Sequence, residues 1–266
     1  MGADTKKLRN RIKSVDSTLH LTSAMGLVAS SKIRRASLGM QRSAQYFKEV
    51  KKVIDTLTQA TECAKSPFMA REGEKTRFII IAGDRGLAGG YNANIFRLAK
   101  QYENVQFYPI GKRACDRYGE GALSAEYFTS ADAVALSKKL CEDFLAGEFD
   151  KLGIICTKYI SMMSQEAQVK WVLPLSKAEK SGATGIIFEP DEATILETAI
   201  REYVCAAIVS AVRESFASEV AARRTAMDSA GKNAQQMIDD LQLQYNRARQ
   251  GAITQEITEI VAGSGA

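Results

Sequence analysis

The chain has 266 residues and a formal net charge of +5 at pH 7, with 36 Lys and Arg against 31 Asp and Glu. Hydrophobic residues at 45% and charged residues at 25% are typical of folded soluble proteins, and the length allows one large domain or two smaller ones. No apolar run approaches the roughly 20 residues that cross a bilayer, and the charged N-terminus lacks the apolar core of a secretory signal. We therefore expect a protein that is not inserted in the membrane and stays on its cytoplasmic side.

The residues that carry most enzyme chemistry are scarce. The five cysteines are widely spaced and form no C-x-x-C pair, which favours reduced, mostly buried thiols over disulfides or a zinc site. The single histidine, His20, leaves little room for histidine-dependent chemistry, and we expect a structural or surface role for it. The sequence thus predicts no catalytic residue, no metal ligand and no cofactor.

The first part of the chain carries a seven-residue repeat. All four prolines and 12 of the 19 glycines lie within 67–190, and because these residues punctuate the backbone, the chain divides into segments 1–66, 67–190 and 191–266. Heptad rows sustained over 8–57 predict a coiled-coil helix whose small seam residues allow a partner backbone to approach closely. The rows are Ile12, Leu19, Gly26, Ile33, Met40, Phe47 and Ile54, and Leu8, Val15, Thr22, Ala29, Ala36, Ser43, Val50 and Leu57.

The last segment opens with Pro190 and an acidic first turn, the chemistry of a helix N-terminus. Residues 1–66 contain 13 Lys and Arg against 5 Asp and Glu (+8), and residues 191–266 contain 7 against 11 (−4), so opposite charge favours their pairing. We expect the two segments to form a long antiparallel coiled coil. The apolar stripe of the second helix comprises Ala206, Val209, Phe216, Val220, Met227, Ala230, Ala234, Met237, Leu241 and Ala248.

The middle segment alternates between strand and helix patterns. Stretches such as RFIIIAG and KLGIICTKYI are typical of buried strands, and ADAVALSKKLCEDFLAGEF is typical of an amphipathic helix. Continuous apolar strands that alternate with helices predict parallel pairing, so the expected fold class is α/β, with a central Rossmann-like domain between the two coiled-coil helices. The other predicted strands are VQFYPIG, AQVKWVLPL and GIIFEP, and the other helices are YNANIFRLAKQYE and KRACDRYG.

A glycine-rich loop follows the first strand in FIIIAGDRGLAGGYN, where nucleotide-binding α/β domains hold phosphate. Its glycines are Gly83, Gly86, Gly89 and Gly90, and neither G-x-G-x-x-G nor GxxxxGK[ST] fits them. An acid about 20 residues further on, Glu103, gives only weak support for dinucleotide binding. We interpret the loop mainly as a structural turn whose glycines allow positive φ and close packing.

Both ends of the chain resemble one known family. The stretch IKSVDSTLHLTSAMGLVASSKIRR (12–35) resembles the N-terminal helix of the F-type ATP synthase gamma subunit, and LQLQYNRARQGAITQEITEIVAG (241–263) resembles its C-terminal signature. GDRGLAGGYN and FEPD match between them, so the resemblance covers the whole chain in order. The sequence departs from the family pattern at His20, Leu21, Gly26 and Ser264 without losing a motif core. The matching positions are Thr22, Ala24, Met25, Val28, Ala29, Lys32, Arg249, Gln250, Ile253, Thr254, Glu256, Glu259 and Gly263.

The resemblance implies a rotor shaft with no bond chemistry of its own. In that family the paired termini run inside a ring of alternating alpha and beta subunits, and the α/β domain lies lower, beside the epsilon subunit and the membrane-embedded c-ring. Rotation of the shaft couples ion flow through the membrane sector to ATP synthesis or hydrolysis at the alpha/beta sites. The implied location is the cytoplasmic face of the cell membrane, as a peripheral membrane protein.

The resemblance also assigns contact residues. At the foot, Glu189 and Asp191 are expected to face the c-ring or the epsilon subunit, although helix-start chemistry explains Asp191 as well. Met25 also fits plain packing beside the seam, and Arg249 and Gln250 also fit a solvated helix face. The residues expected to contact the alpha/beta ring are Met25, Lys32, Arg249, Gln250, Thr254 and Glu256.

Two other functions stay open from the residues alone. A nucleotide-dependent α/β enzyme with coiled-coil dimerisation arms would use the glycine-rich loop. A coiled-coil adaptor or nucleic-acid binder would use the basic stretches KKLRNRIK and SSKIRR. Those stretches lack interleaved aromatic residues and the net charge is modest, so we expect an acidic protein partner or a solvated helix face rather than nucleic acid.

Overall fold

The computed structural model describes residues 2–60, 62–69, 73–119, 123–177, 189 and 191–264. Two long helices form the ends of the chain, α1 (Gly2–Leu57) and α5 (Glu192–Ser264). The predicted strand GIIFEP falls outside the described residues except for Glu189. The elements between the long helices are a short 3-10 helix (Glu62–Lys65), β1 (Thr76–Ile81), α2 (Tyr91–Ala99), β2 (Gln106–Ile110), α3 (Lys112–Tyr118), α4 (Ser130–Leu145), β3 (Lys151–Tyr159) and β4 (Gln165–Leu173).

The chain divides by its packing into two compact units. The terminal unit comprises residues 1–30 and 223–266, and the sheet unit comprises residues 31–222. Each long helix therefore contributes one part to each unit. The three predicted segments give the order of elements along the chain, and their status as folding domains stays a prediction.

The two helices of the terminal unit are antiparallel. A Cβ atom built on Gly26 of α1 would lie 3.6 Å from Cβ of Met227 in α5, and one built on Gly231 would lie 3.7 Å from Oγ1 of Thr22. Residues that come later in α1 thus contact residues that come earlier in α5. The predicted antiparallel pairing of the two ends of the chain is confirmed.

The heptad seam predicted for α1 agrees with the burial of its side chains. All fifteen residues of the two rows, from Leu8 to Leu57, are buried or half-buried. Both alanines of the seam are well enclosed, since Ala29 is 3% exposed and Ala36 is 6% exposed. A seven-residue repeat fixes the inward face of a helix whatever the partner, which is why the sequence alone identified it.

The seam of α5 in the terminal unit was only half identified from the sequence. Met227, Ala234 and Leu241 are buried as predicted, but Met237 is 43% exposed, and its neighbour Ile238 is only 6% exposed. The second row of the seam runs four residues after each member of the first and includes Gly231, which has no apolar side chain to mark it. The full second row is Gly231, Ile238, Tyr245 and Ala252, each of which is buried or half-buried.

The sheet unit contains a four-stranded sheet in the order β2-β1-β3-β4. Strand β1 is parallel to both neighbours, with Ile79 opposite Tyr108 of β2 and Ile154 of β3. Strands β3 and β4 form an antiparallel hairpin in which Ile155 lies opposite Val169. The predicted α/β class with parallel pairs is confirmed, and the antiparallel edge strand completes a mixed sheet.

Alternate residues of β1 supply the two faces of this sheet. Phe78 and Ile80 point to a core that they share with Ile95 of α2 and Ala114 of α3. Ile79 and its like-facing neighbours point to the larger core on the opposite face, with α4 and the sheet-unit portions of α1 and α5. Helices therefore cover both faces, and continuous apolar strands are the sequence pattern that such burial requires.

Replacing Ile238 with Ala is expected to lower the local free energy of unfolding of the terminal unit by about 2 kcal/mol or more, because a buried branched side chain leaves a cavity. The matched control is Met237→Ala one position earlier, which should cost less than about 0.5 kcal/mol because that side chain is largely in solvent. Amide hydrogen exchange along 227–248 of α5 measures both effects. If both variants lowered the local free energy of unfolding equally, the assignment of Ile238 and not Met237 to the seam would be wrong.

Candidate partner-binding surfaces

The helix α5 continues past the start of α1. In the contacts between Ser30 and Arg224, Gly26 and Met227, and Thr22 and Gly231, the paired residue numbers add up to 253 or 254. Gly2, where α1 begins, therefore falls opposite residues 251 and 252. The last 12 or so described residues of α5 have no partner helix from this chain, a single-helix end about 18 Å long at 1.5 Å per residue.

Four of the predicted ring contacts lie on or just before this single-helix end. Arg249, Gln250, Thr254 and Glu256 are all exposed. The Thr254 hydroxyl donates to the backbone carbonyl of Gln250 at 3.0 Å, so this side chain is partly satisfied by its own helix. The structure thus brings these four residues together on one accessible helix, and their assignment to an alpha/beta ring stays a prediction.

The same end of α5 carries an exposed apolar stripe. Ile253, Ile257, Ile260 and Val261 follow one another at helical spacing and are 45%, 57%, 70% and 64% exposed. In the sequence, Thr or Glu stands next to each isoleucine, so the stripe becomes visible only when the residues are placed on a helix. A contiguous exposed apolar stripe of this kind is typical of surfaces that bind another protein.

The remaining two ring residues lie in α1 and differ in their surroundings. Met25 is half-buried in the terminal unit, with Leu21 and Val28 one turn away on either side. These neighbours are 65% and 55% exposed, so Met25 belongs to an outward apolar strip of α1 as well as to the edge of the seam. In the sheet unit, the Lys32 ammonium forms an ion pair with Glu126, a residue that sequence reasoning did not single out.

The two predicted foot residues, Glu189 and Asp191, differ in their surroundings. Glu189 is exposed, and the residues on either side of it lie outside the described part of the chain. Asp191 precedes α5, and its side chain accepts hydrogen bonds from the backbone N–H and the hydroxyl of Thr194, both at 2.8 Å. The geometry of Asp191 is that of a helix cap, the local alternative that the sequence left open.

The glycine-rich loop packs tightly against α5. A Cβ atom on Gly83 would lie 2.7 Å from the carboxyl carbon of Glu219, a residue that is 3% exposed. The Gly83 N–H donates to Oδ1 of Asn92 at 2.9 Å, which ties the loop to the start of α2. Leu87 and Gly89 have φ values of 61° and 58°, as a tight turn requires. This geometry agrees with the structural-turn interpretation of the loop.

Asp84 in the same loop accepts four hydrogen bonds. Ser124 donates its hydroxyl at 2.5 Å, and the backbone N–H groups of Glu126, Lys112 and Ala125 donate at 2.9, 2.9 and 3.1 Å. Burial raises the pKa of Asp84, but the hydrogen bonds from Ser124 and these backbone groups outweigh it and bring the pKa below its ordinary value. The carboxylate is therefore ionised at neutral pH and holds several segments together.

Polar contacts attach α5 to the sheet. Glu214 of α5 forms an ion pair with Lys170 of β4 at 2.6 Å. Ser215, one residue later, accepts a hydrogen bond from the Thr157 N–H of β3 through its hydroxyl at 3.1 Å, and its carbonyl accepts from the Tyr91 hydroxyl at 3.0 Å. Sequence reasoning missed these residues because nothing in a helical stripe shows which polar side chain faces a strand.

In the described residues, the arrangement of the cysteine and histidine side chains does not favour reactivity or metal binding. Burial raises the pKa of the Cys141 and Cys156 thiols to about 11, so both are protonated at neutral pH. His20 is exposed on α1 beside Asp16. Within the described ranges no group of three or more His, Cys, Asp or Glu side chains is arranged to hold a metal ion. In the same residues, every helix is too short or too polar to span a membrane.

Comparison with known sequences identifies relatives along the full length of the chain. A family model described as ATP synthase matches residues 4–266. The sodium ion specific ATP synthase gamma chain of Acetobacterium woodii is 37% identical over 304 aligned residues, which cover 100% of this chain and 99% of the relative. The ATP synthase gamma chain of Ruminococcus albus is 38% identical over 280 residues, which cover 98% of each chain.

Solved structures share the fold at low identity. A chain of the Euglena gracilis mitochondrial ATP synthase rotor superposes with a TM-score of 0.67 at 15% identity, covering 95% of this chain and 100% of the other. In the OSCP/F1/c-ring structure from E. gracilis, the TM-score is 0.70 at 17% identity, with 100% and 95% covered. For the central stalk/c-ring structure from Tetrahymena thermophila, the values are 0.62 and 16%, with 79% and 99% covered.

The paired terminal helices, the inserted α/β domain and the matching family model place this chain among the subunits of ATP synthases. The relatives at 37% and 38% identity narrow this class, because they match from end to end and are both gamma chains. The chain belongs to the ATP synthase gamma-chain family. The resemblance stated from its two terminal motifs is confirmed.

Replacing Gly83 with Ala is expected to lower the free energy of unfolding of the sheet unit by about 1–3 kcal/mol, because the added Cβ displaces the buried Glu219 carboxylate. The control is Gly86→Ala in the same loop, whose Cβ would meet Arg113 Nη2 at an ordinary 3.6 Å. This change should cost less than about 0.5 kcal/mol. Denaturant unfolding followed by fluorescence of Trp171, the one tryptophan of the sequence, measures both variants. If the Gly83→Ala protein were as stable as the control, the loop and Glu219 would have to move apart at almost no cost in free energy, which would contradict the prediction.

Proposed function

We propose that the chain is the rotating central shaft of an F-type ATP synthase and performs no bond chemistry itself. It couples ion translocation through the membrane sector to ATP synthesis and hydrolysis at the alpha/beta catalytic sites. Its partners are the hexameric ring of alpha and beta subunits, the epsilon subunit and the c-ring. These partners hold it at the cytoplasmic face of the cell membrane as a peripheral subunit.

The single-helix end of α5 is the observation that carries this proposal. Most helical stability in proteins comes from the packing of an amphipathic face, and because this end packs on no other helix of the described chain, a surrounding protein is needed to hold it firmly. Its exposed isoleucines supply apolar contacts to the surrounding protein. Polar contacts come from Arg249, Gln250, Thr254 and Glu256.

The composition of this end suits a bearing. Burial of apolar surface stabilises a complex by about 25 cal/mol per Å², so a wide apolar surface would hold the shaft in one orientation. The apolar stripe from Ile253 to Val261 is only one side chain wide. A narrow stripe keeps the difference in binding free energy between one orientation of the shaft and the next small. Polar side chains on the other faces exchange partners, or water, at each step with little net change in free energy.

The α1 residues assigned to the ring fit the same role. The strip of Leu21, Met25 and Val28 presents apolar surface on the outside of the terminal unit. Lys32 keeps 37% of its side chain exposed while bound to Glu126, so a carboxylate of a beta subunit can approach the same ammonium group. At the foot, exposed Glu189 is available to the c-ring or the epsilon subunit, and Asp191 contributes mainly by starting α5.

Reconstitution with alpha and beta subunits tests the shaft function directly. The purified chain alone is expected to show no ATPase activity, and its addition should restore coupled ATP hydrolysis to the two other subunits. Calorimetric titration of the chain with ATP provides a second readout. Equal hydrolysis without the chain, or saturable micromolar ATP binding to the chain alone, would contradict the proposal.

A crosslinking experiment tests the placement of the α5 end. In the reconstituted complex, Gln250→Cys is expected to form an oxidative crosslink with a cysteine introduced on the inner surface of a beta subunit, because Gln250 is exposed on the end that the ring encloses. Lys100→Cys at the end of α2 is the control, since it is exposed in the sheet unit and should not crosslink at that position. The assignment fails if both variants, or neither, give the product.

Breaking α5 in the terminal unit is expected to uncouple the complex. Ala234→Pro removes a backbone donor in the helix interior at a buried seam residue, which costs roughly 3 kcal/mol or more. Gln235→Ala at the next, exposed position is the control and should leave coupling intact. ATP synthesis driven by an imposed ion gradient measures coupling. Normal synthesis with Ala234→Pro would argue against a rigid shaft.

A further inference from the structure

A short segment of the sheet unit contacts both long helices. This segment, Ser124–Phe128, is called the strap here and leads directly into α4. Its Glu126 side chain forms the ion pair with Lys32 of α1, and its Phe128 carbonyl accepts a hydrogen bond from Nη2 of Arg213 in α5 at 3.0 Å. The strap therefore links the sheet to each helix through a charged side chain.

The two helices meet at the same place. A Cβ atom built on Gly39 of α1 would lie 4.0 Å from Cδ of Arg213, whose guanidinium bonds the strap. Lys32 and Gly39 are seven residues apart, two turns along one side of α1. Arg213 therefore bonds the strap and lies near Gly39, on the side of α1 that also carries Lys32.

Asp84 fixes the position of the strap. Its carboxylate receives the Ser124 hydroxyl and the N–H groups of Ala125 and Glu126, and the Lys112 N–H comes from the start of α3. Three strap residues therefore donate hydrogen bonds to one ionised carboxylate, and one of them is Glu126, which pairs with Lys32. Hydrogen bonds to an ionised acceptor are about twice as strong as those between neutral groups.

The Asp84 carboxylate occupies a position that is suited to an anion. It follows β1 in the loop where many α/β domains place a bound phosphate, and its donors are of the kind that bind phosphate: three backbone N–H groups and a hydroxyl. Here the chain supplies the anion itself. A cleft of about 560 Å³ opens beside it, lined in part by Lys112 and Ser124, so a small anion can reach this position when the side chain is removed.

We propose that Asp84 is a built-in anion that replaces a ligand and that, by fixing the strap, fastens the sheet to both long helices for the transmission of torque. Torque transmission rests on the function proposed above, whereas the anion role does not. Asp84 is in this sense a positioning residue, which acts through Glu126 and Phe128. Loss of its charge loosens the fastening without removing any contact between the terminal unit and its partners.

The anion role is tested on the isolated chain by amide hydrogen exchange. Asp84→Asn is expected to speed exchange at Ala125 and Glu126 by about tenfold or more, because the charge-assisted acceptor is lost. Asp84→Gly should show the same acceleration and should recover protection on addition of sodium formate, whose carboxylate fills the vacated position. Sodium chloride at equal ionic strength should restore nothing.

The matched control for charge is Asp116→Asn on α3, an exposed carboxylate that faces Arg113 at 3.8 Å. It should leave strap exchange unchanged. Equal exchange in Asp84→Asn and Asp116→Asn would overturn the anion role. So would a response of Asp84→Gly that is the same in formate and chloride.

The fastening role is tested in the assembled complex by ions pumped per ATP hydrolysed. Asp84→Asn and Glu126→Gln are both expected to lower this ratio at least twofold, and formate should restore it for Asp84→Gly. Glu126→Gln should leave the exchange of Ala125 unchanged, which separates loss of the link to Lys32 from unfolding of the strap. An unchanged ratio in both variants would overturn the fastening role. Failure of the wild-type chain to support coupled turnover would instead reject the shaft function and leave the exchange results valid.

Discussion

Close approach of two antiparallel helices is the constraint on which the terminal unit depends. Small residues line both sides of the seam, and a Cβ atom added to Gly26 or Gly231 would meet Met227 or Thr22 at an ordinary van der Waals distance of 3.6 or 3.7 Å. Glycine in a helix interior costs about 1 kcal/mol relative to alanine, so the packing of buried seam residues such as Ala29, Met227 and Leu241 has to offset two weak helix formers. That packing holds α1 and α5 in register and leaves the end of α5 to project as a single helix.

The sheet unit serves as a fixed attachment for the helices. Positions at which a Rossmann-like domain often binds a ligand are filled by its own side chains, with Asp84 among the backbone donors and Glu219 against Gly83. About one turn earlier in α5, Glu214 and Ser215 bond to β4 and β3. A domain of this kind is suited to move together with its helices, which a shaft subunit of the gamma-chain family requires.

The division between buried and exposed surface follows the same logic. Polar groups of the sheet unit such as Asp84, Glu214 and Ser215 bond to other groups of the chain, whereas the end of α5 leaves isoleucines and polar side chains to solvent. Internal pairing gives the sheet unit a single conformation. An exposed helix of mixed polarity can change its contacts without changing its own structure, so this end of α5 is suited to meet different partner surfaces in turn.

Much of this protein was determined by its sequence alone. The heptads of α1 fixed its seam, the alternation of apolar strands and helices fixed the α/β class, and the two terminal motifs identified the family, because each of these is a local or periodic property of the chain. Tertiary structure decided the rest. The second row of the α5 seam was missed because Gly231 carries no apolar side chain, and the pairing of Lys32 with Glu126 joins residues 94 positions apart. Asp84 could be located in its loop, but not its role, because the donors that surround it come from distant segments that only the fold brings to one carboxylate.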